Sequence, residues 1–298
     1  MRKRRTLQEL TIKDNFMFAA VMMNPENCRR LLEIALDIPV ERVEVSYEKS
    51  IVYHPEYKGI RLDVFARDAQ NTHYNVEMQI ARDALERRSR YYHSQLDMEL
   101  LLGGVPYEEL PDAYVIFICD FDPLGRRKYR YTMEHICREV PDLPYKDGSH
   151  TIFLSTYGEN ETEVPESLVN FLKYVRGILP DPEDSYVKRL QDSVRQVKAS
   201  REMEERFMVL QEMMRLEREE GRAEGRAEGR AEGRAEGRAE GRAEGRAESV
   251  LVILEGSGPV PEDVRERILS EEDLSVLNSW IRLAAASDSV ESFIKKAF

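Results

Sequence analysis

Cysteine is scarce and poorly placed for a framework. The three cysteines, Cys28, Cys119 and Cys137, are widely spaced and include no CxxC pair. Neither a zinc ribbon nor a disulfide scaffold is supported, and reduced core or filler positions are expected. The five histidines include no His-Glu-x-x-His pair. A Gly-x-Ser-x-Gly elbow is missing, and so is a phosphate-binding glycine loop ending in Lys-Ser/Thr, which removes several common enzyme classes. No apolar run reaches the roughly eighteen residues that a membrane helix needs, so no membrane partner is expected. The basic start, Met1-Arg2-Lys3-Arg4-Arg5, is followed by polar residues rather than the apolar core of a secretory signal. Cytoplasmic residence is therefore the expectation. Excess positive charge is also lacking. The net charge of −12 opposes attraction to nucleic acid by the chain as a whole. DNA contact would have to rest on local basic patches, with metal ions offsetting carboxylates at a site.

What is present divides by composition into three parts. Residues 1–180 mix aromatic, apolar and charged residues and carry several strand-like runs. Residues 181–248 are highly charged, and residues 249–298 regain apolar periodicity. In the first part, Pro25 to Asp37 has Leu31, Leu32, Ala35 and Leu36 at helical spacing. Strand patterns follow at Val43–Tyr53, Ile60–Arg67 and His73–Ile80, the last two joined by the hairpin-like turn Asp68-Ala69-Gln70-Asn71-Thr72. A helix is predicted from Asp83 to Leu102, stopping at Gly103-Gly104. The β-branched and aromatic run Ala113–Phe121 reads as a buried central strand. Thr151–Ser155 reads as a further strand and Pro165–Ile178 as a further helix. Such elements pack as a mixed α/β sheet flanked by helices.

The middle part contains Gly-Arg-Ala-Glu seven times, from Gly221 to Glu248. Glycine at every fourth position costs about 1 kcal/mol each in a helix. Like charges fall four residues apart, while opposite charges fall two or six apart and do not meet. A long helix supported by its neighbours or a partner, and a flexible linker, both stay open. The last part reads as a small helical module. Pro261-Glu262-Asp263 marks a helix start, and Ser270-Glu271-Glu272-Asp273 and Asp288-Ser289-Val290-Glu291 resemble capping boxes.

Chemistry concentrates in Gly59-Ile60-Arg61-Leu62-Asp63-Val64 and Tyr74-Asn75-Val76-Glu77-Met78-Gln79-Ile80. Strand alternation puts Asn75, Glu77 and Gln79 on one face, and Arg61 and Asp63 on one face of the preceding strand. Paired as a hairpin, the two strands bring a carboxylate each toward a common point, on an exposed face. Carboxylates so placed repel unless a cation lies between them, which suits a hard divalent metal. The plain alternative is the polar side of an amphipathic sheet. Beside this stretch, Arg82, Arg87, Arg88 and Arg90 begin the following helix. They read either as a solvated face with an ordinary Glu86–Arg90 pair or, at Arg88 or Arg90, as a phosphate contact near the metal, and Arg61 is a further candidate for DNA contact. Arg126, Arg127, Lys128 and Arg130, with Tyr129 among them, form a second basic cluster able to track a DNA backbone.

These residues resemble the Rpn recombination-promoting nucleases, of the PD-(D/E)XK nuclease family transposases, from about Thr11 to Arg176. The likeness is carried by Asp14-Asn15-Phe16-Met17-Phe18, Ile60-Arg61-Leu62-Asp63-Val64, Asn75-Val76-Glu77-Met78-Gln79, and the helix bearing Arg88, Arg90, Tyr91 and Tyr92. It implies a restriction-endonuclease-like core with a helical C-terminal extension, and metal-dependent DNA cleavage linked to recombination, mobile elements or defence against foreign DNA. Asp63 and Glu77 match the metal ligands, with Glu33 as a further candidate, and the implied ion is magnesium, with manganese or calcium as alternatives. Gln79 stands where the motif has lysine, keeping hydrogen bonds but not charge. On that reading Gln79→Lys retains or raises activity. The other reading is a weak or inactive nuclease fold that binds DNA or protein. A homo-oligomer, and an inhibitory or regulatory protein bound through the repeat and C-terminal region, are expected as further partners.

Overall fold

The computed structural model describes residues 5–51, 59–178 and 182–298; side chains at 47–49 and at Arg61 lie outside that description. Residues 1–4, the strand end expected at Tyr53 and the boundary expected near residue 180 also fall outside it. The chain divides into two compact units, Met1–Val209 and Leu210–Phe298.

The first unit begins with α1 (Asn15–Met22) and α2 (Pro25–Leu36). Asn24 caps α2 by accepting from the amides of Glu26 and Asn27, proline occupies the first turn, and Asp37 ends the helix in the left-handed conformation. The strands are β1 (Val43–Ile51), β2 (Ile60–Asp68) and β3 (His73–Gln79), followed by α3 (Leu85–Leu100). Then come β4 (Ala113–Cys119), β5 (Arg130–Met133), β6 (Ser149–Ser155), α4 (Glu166–Arg176) and α5 (Ser185–Ala199). The six strands form one mixed sheet in the order β1-β2-β3-β4-β6-β5. Antiparallel pairing joins β1, β2 and β3, while β3, β4 and β6 run parallel, and β5 returns antiparallel on β6. The run at 113–121 is thus the central strand that its composition suggests. Its Val115, Phe117 and Cys119 pack with Leu85, Tyr92 and Leu96 of α3. The thiols of Cys28 and Cys119 are buried, and burial pushes each up to about 12, so both are inert core groups.

Two elements escape the sequence pattern. Six of the eight residues of α1 are buried, leaving no polar face to generate a helical period. The strand β5 is four residues long.

The second unit holds most of α6 (Arg201–Glu255, 55 residues), then α7 (Glu262–Leu269), α8 (Leu274–Ala285) and α9 (Val290–Ala297). Of the two conformations open for the repeat, the structure takes the helix. Ala243 and Ala247 join Val250, Leu251 and Leu254 in a core closed by Ile268, Leu277, Trp280 and Phe293. The capping residues differ from the sequence expectation. Ser270 ends α7 rather than starting a helix, and Asp273 caps α8 by accepting from the amides of Ser275 and Val276. Ser289, not Asp288, caps α9. No membrane-length apolar helix occurs among the described residues.

The repeat itself has little to hold it. A methyl added at any of its seven glycines meets no atom within 4 Å. Among the described residues no ion pair forms within it, as its spacing requires: the pairs on α6 reach Arg215–Glu219 before the repeat and resume at Glu255, with Arg265, after it. Its helix therefore propagates from the better formers on either side. A synthetic peptide of residues 221–248 is expected to be mostly unfolded in water by circular dichroism. The same peptide with every glycine replaced by alanine gains about 1 kcal/mol per site and becomes strongly helical. A strongly helical native peptide contradicts this account.

Candidate active site

The site forms where β2 and β3 part. Their pairing runs from Arg67↔His73 to Val64↔Val76. Beyond that, β2 continues along β1 as far as Ile60, and β3 continues along β4 as far as Gln79↔Cys119. Asp63 and Glu77 are the next residues in the hairpin register, and they meet side chain to backbone. The Asp63 amide donates to Glu77 Oε1 at 3.2 Å, and the Met78 amide donates to Asp63 Oδ2 at 3.3 Å. The two carboxylates thus satisfy amides in the fork where the strands separate.

This pair is not exposed, contrary to the sequence expectation. Asp63 is 9% exposed, Gln79 7% and Glu77 1%. The reason is cover from two helices that strand alternation does not reveal. From the start of α1, Asn15 Nδ2 donates to Asp63 Oδ2 at 3.0 Å. From the first turn of α3, Arg88 Nη2 donates to Glu77 Oε2 at 3.1 Å, and Nη1 donates to Gln79 Oε1 at 3.0 Å. Arg88 is itself held by Tyr92, whose hydroxyl accepts from Nε at 2.9 Å and Nη2 at 2.6 Å. The chain enters α3 through Ala84 in the left-handed region (φ 40°), and the amides of Arg87 and Arg88 bond its carbonyl.

Electrostatics in the fork are strained. Burial first, then the Asp63 charge, push the Glu77 carboxyl up to about 8, although Arg88, the Asp63 amide and Asn75 pull the other way. Asn75 is fully buried on the same strand face, and neither of its polar side-chain atoms finds hydrogen-bond geometry. Burial also pushes Tyr92 up to about 12, so it stays a neutral phenol that accepts from Arg88.

The oxygens in the fork fit a hard divalent cation. Two mutually repelling carboxylates, only partly offset by Arg88, and the amide oxygen of Gln79 make an all-oxygen donor set. Magnesium typically takes one or two carboxylates and fills its shell with water and phosphate oxygens. No group of three acidic, histidine or cysteine side chains gathers among the described residues. Glu33 is accordingly not brought to the pair. It accepts instead from Arg29, Arg30 and the Val40 amide.

The basic candidates divide. Arg61 lies on β2 opposite Ser50, its side chain outside the described residues. Arg82 is exposed near the site, donating to the Asp122 carbonyl and lying over the Phe121 ring. Arg87 and Arg90 are exposed on α3, and the expected Glu86–Arg90 pair does not form among the described residues. In the second cluster, Arg127 pairs with Glu159 and Lys128 with Glu163. Arg130 is on β5 and donates to the Ala35 carbonyl. Among the described residues Arg126 has no carboxylate partner, so two of the four charges in this cluster are offset by carboxylates. Sequence reasoning did not assign Asn15, Asn75 or Tyr92 to the site, although all three lay within the segments carrying the family likeness and Asn75 was placed on the face of Glu77 and Gln79.

Asn15→Ala tests the α1 contact. A hydrogen bond to a charged group contributes about 1.5–3 kcal/mol to stability, so the variant is expected to unfold more easily by about that amount, which chemical denaturation measures. Unchanged stability would mean that the contact adds nothing to the fold.

A family model described as PD-(D/E)XK nuclease family transposase matches residues 16–174. Its span takes in the whole sheet and α1 to α4 almost completely. No curated protein and no solved structure matches the chain.

Proposed function

Since the chain belongs to the PD-(D/E)XK nuclease family transposases, we propose that it is a divalent-metal-dependent DNA endonuclease acting through Asp63, Glu77 and Gln79. The observation that carries this reading is the opposition of Asp63 and Glu77 in the fork between β2 and β3, joined through hydrogen bonds at 3.2 and 3.3 Å. Asp63 and Glu77 would hold the ion, for which magnesium is the first choice and manganese or calcium the alternatives. When bound, such an ion polarises a phosphate oxygen and lowers the pKa of water. Gln79 orients water or phosphate by hydrogen bonds. The exposed Arg82, Arg87 and Arg90 draw the DNA backbone toward the fork, offsetting the net charge of −12 locally. In the reaction the water oxygen joins phosphorus, one bridging P–O bond breaks, and a phosphate monoester and an alcohol result.

The same proposal assigns cleavage to residues 1–180, spacing to 181–248, and assembly to 249–298, whether with further copies of the chain or with a regulatory protein. A role in recombination of mobile elements or in defence against foreign DNA accords with the family. One observation favours the weaker alternative, a nuclease fold that binds without cutting: a cation, Arg88, already engages both Glu77 and Gln79. Supercoiled, linear and single-stranded DNA incubated with magnesium, manganese, calcium or chelator separates the two. Metal-dependent products ending in a phosphate monoester support the enzyme, and DNA binding without cleavage under every ion supports the alternative.

A further inference from the structure

The charge that Gln79 lacks is present beside it. We infer that Arg88 is the cationic catalytic group of the site, contacting the scissile phosphate so that Gln79 and Arg88 together do what one lysine does in the motif; this rests on the nuclease reading above.

Three observations carry the inference. First, among the described contacts of Glu77 and Gln79, Arg88 is the one cationic side chain, 3.1 Å and 3.0 Å away respectively. Two carboxylates and a divalent ion cancel, so an arriving phosphodiester anion is balanced only by a further positive charge. Second, the guanidinium has five N–H donors. Those on Nε and Nη2 go to Tyr92 and Glu77, and one on Nη1 goes to Gln79. The remaining Nη1 hydrogen has no described partner. It is the one guanidinium hydrogen left to donate to a phosphate oxygen. Third, the group is held in place yet accessible. Its central carbon lies 5.0 Å from the Tyr92 ring centroid and 5.9 Å from that of Phe117, while its side chain stays 27% exposed against 1% for Glu77. A purely structural counter-ion for Glu77 would need neither the second arm on Gln79 nor the open edge.

The inference reverses the expectation for position 79. A lysine there cannot accept from Nη1 and sets two cations side by side, so Gln79→Lys alone is slower than wild type. With the arginine removed, the same lysine becomes useful. The test measures single-turnover cleavage at saturating magnesium, and DNA affinity in chelator by fluorescence anisotropy, for R88M, R88K, Q79K and Q79K/R88M. Loss of one transition-state donor is worth about 10²–10³ in rate, so R88M falls by about that much, a loss larger than the weakening of its DNA affinity. The Q79K/R88M double variant recovers at least about tenfold over R88M. R88K keeps the charge but loses the fork of donors, so it falls between wild type and R88M, and it carries the test if R88M does not fold.

The inference is overturned if R88M cleaves like wild type, if its loss follows weakened DNA binding, or if the double variant is no faster than R88M. It is overturned as well if R88K is as impaired as a neutral residue. A wild type with no metal-dependent cleavage sinks the nuclease reading itself. A cleaving wild type that R88M equals sinks the inference alone.

Discussion

Replacing Glu77 by glutamine abolishes metal-dependent cleavage and, in the metal-free protein, removes a fall of stability with rising pH. Both follow from one buried carboxyl raised to about 8 by burial and by Asp63. Its folded pKa lies above the unfolded one, so between the ordinary carboxylate range and pH 8 the folded state holds a proton that the unfolded chain has lost. Stability therefore declines across that window as pH rises, and above it the full penalty of two ionised carboxylates is present. Glutamine does not titrate, so the variant's profile is flatter and it is the more stable protein at pH 8. On the proposed reading a divalent ion would reverse the penalty by binding the ionised pair. Manganese affinity of the wild type should rise by about tenfold per pH unit from pH 6 to 8 and level off above. Loss of the carboxylate removes a ligand outright, so the cost exceeds the roughly 10–100-fold typical of outer-sphere partners. Chemical denaturation across pH and calorimetric metal titration provide the check. A glutamine variant with the wild-type pH slope and wild-type manganese affinity would place the ion elsewhere.

Much of this arrangement is written locally in the chain. The alternation in 60–67 and 73–80 with a turn between them gave the hairpin, and the family motif pointed to Asp63, Glu77 and Gln79. Burial of the pair was not legible, because it depends on α1 and α3 closing over the fork. Asn15–Met22 reads as a plain apolar run, and its helix is invisible to periodicity because nearly every residue is buried. Arg88 was visible as a charge among Arg87 and Arg90, but helix geometry alone did not say which arginine turns inward. Side chains on a helix lean toward its N-terminus, and with α3 starting only at Leu85, Arg88, the second of two arginines in its first turn, is carried back over the end of β3. Glu33 shows the opposite error. A carboxylate on an early helix is a reasonable ligand by analogy, yet Arg29 and Arg30 lie four and three residues away and claim it first. The caps at Asp273 and Ser289 were displaced by three residues and by one, since Ser-Glu-Glu-Asp and Asp-Ser both offer two chemically suitable oxygens. Only packing of Leu277 and Phe293 selects between them.

Asp63 gives the largest effect on function with a tolerable effect on the fold. Its removal leaves the Asn15 amide and the Met78 amide without an acceptor, at about 1–3 kcal/mol for each buried donor left unmet. Against this, the charge that raises Glu77 disappears, relieving a repulsion in the metal-free protein. Asp63→Asn keeps an acceptor for those amides and serves as the isosteric control. The most direct measurement is magnesium-dependent conversion of supercoiled plasmid to nicked or linear forms by wild type, Asp63→Ala and Asp63→Asn, each confirmed folded by dichroism. The account predicts conversion by wild type that chelator stops, and a loss of about 10³-fold or more in both variants, beyond the roughly 10²-fold of an outer-sphere change. Asp63→Ala cleaving at the wild-type rate in magnesium would contradict it.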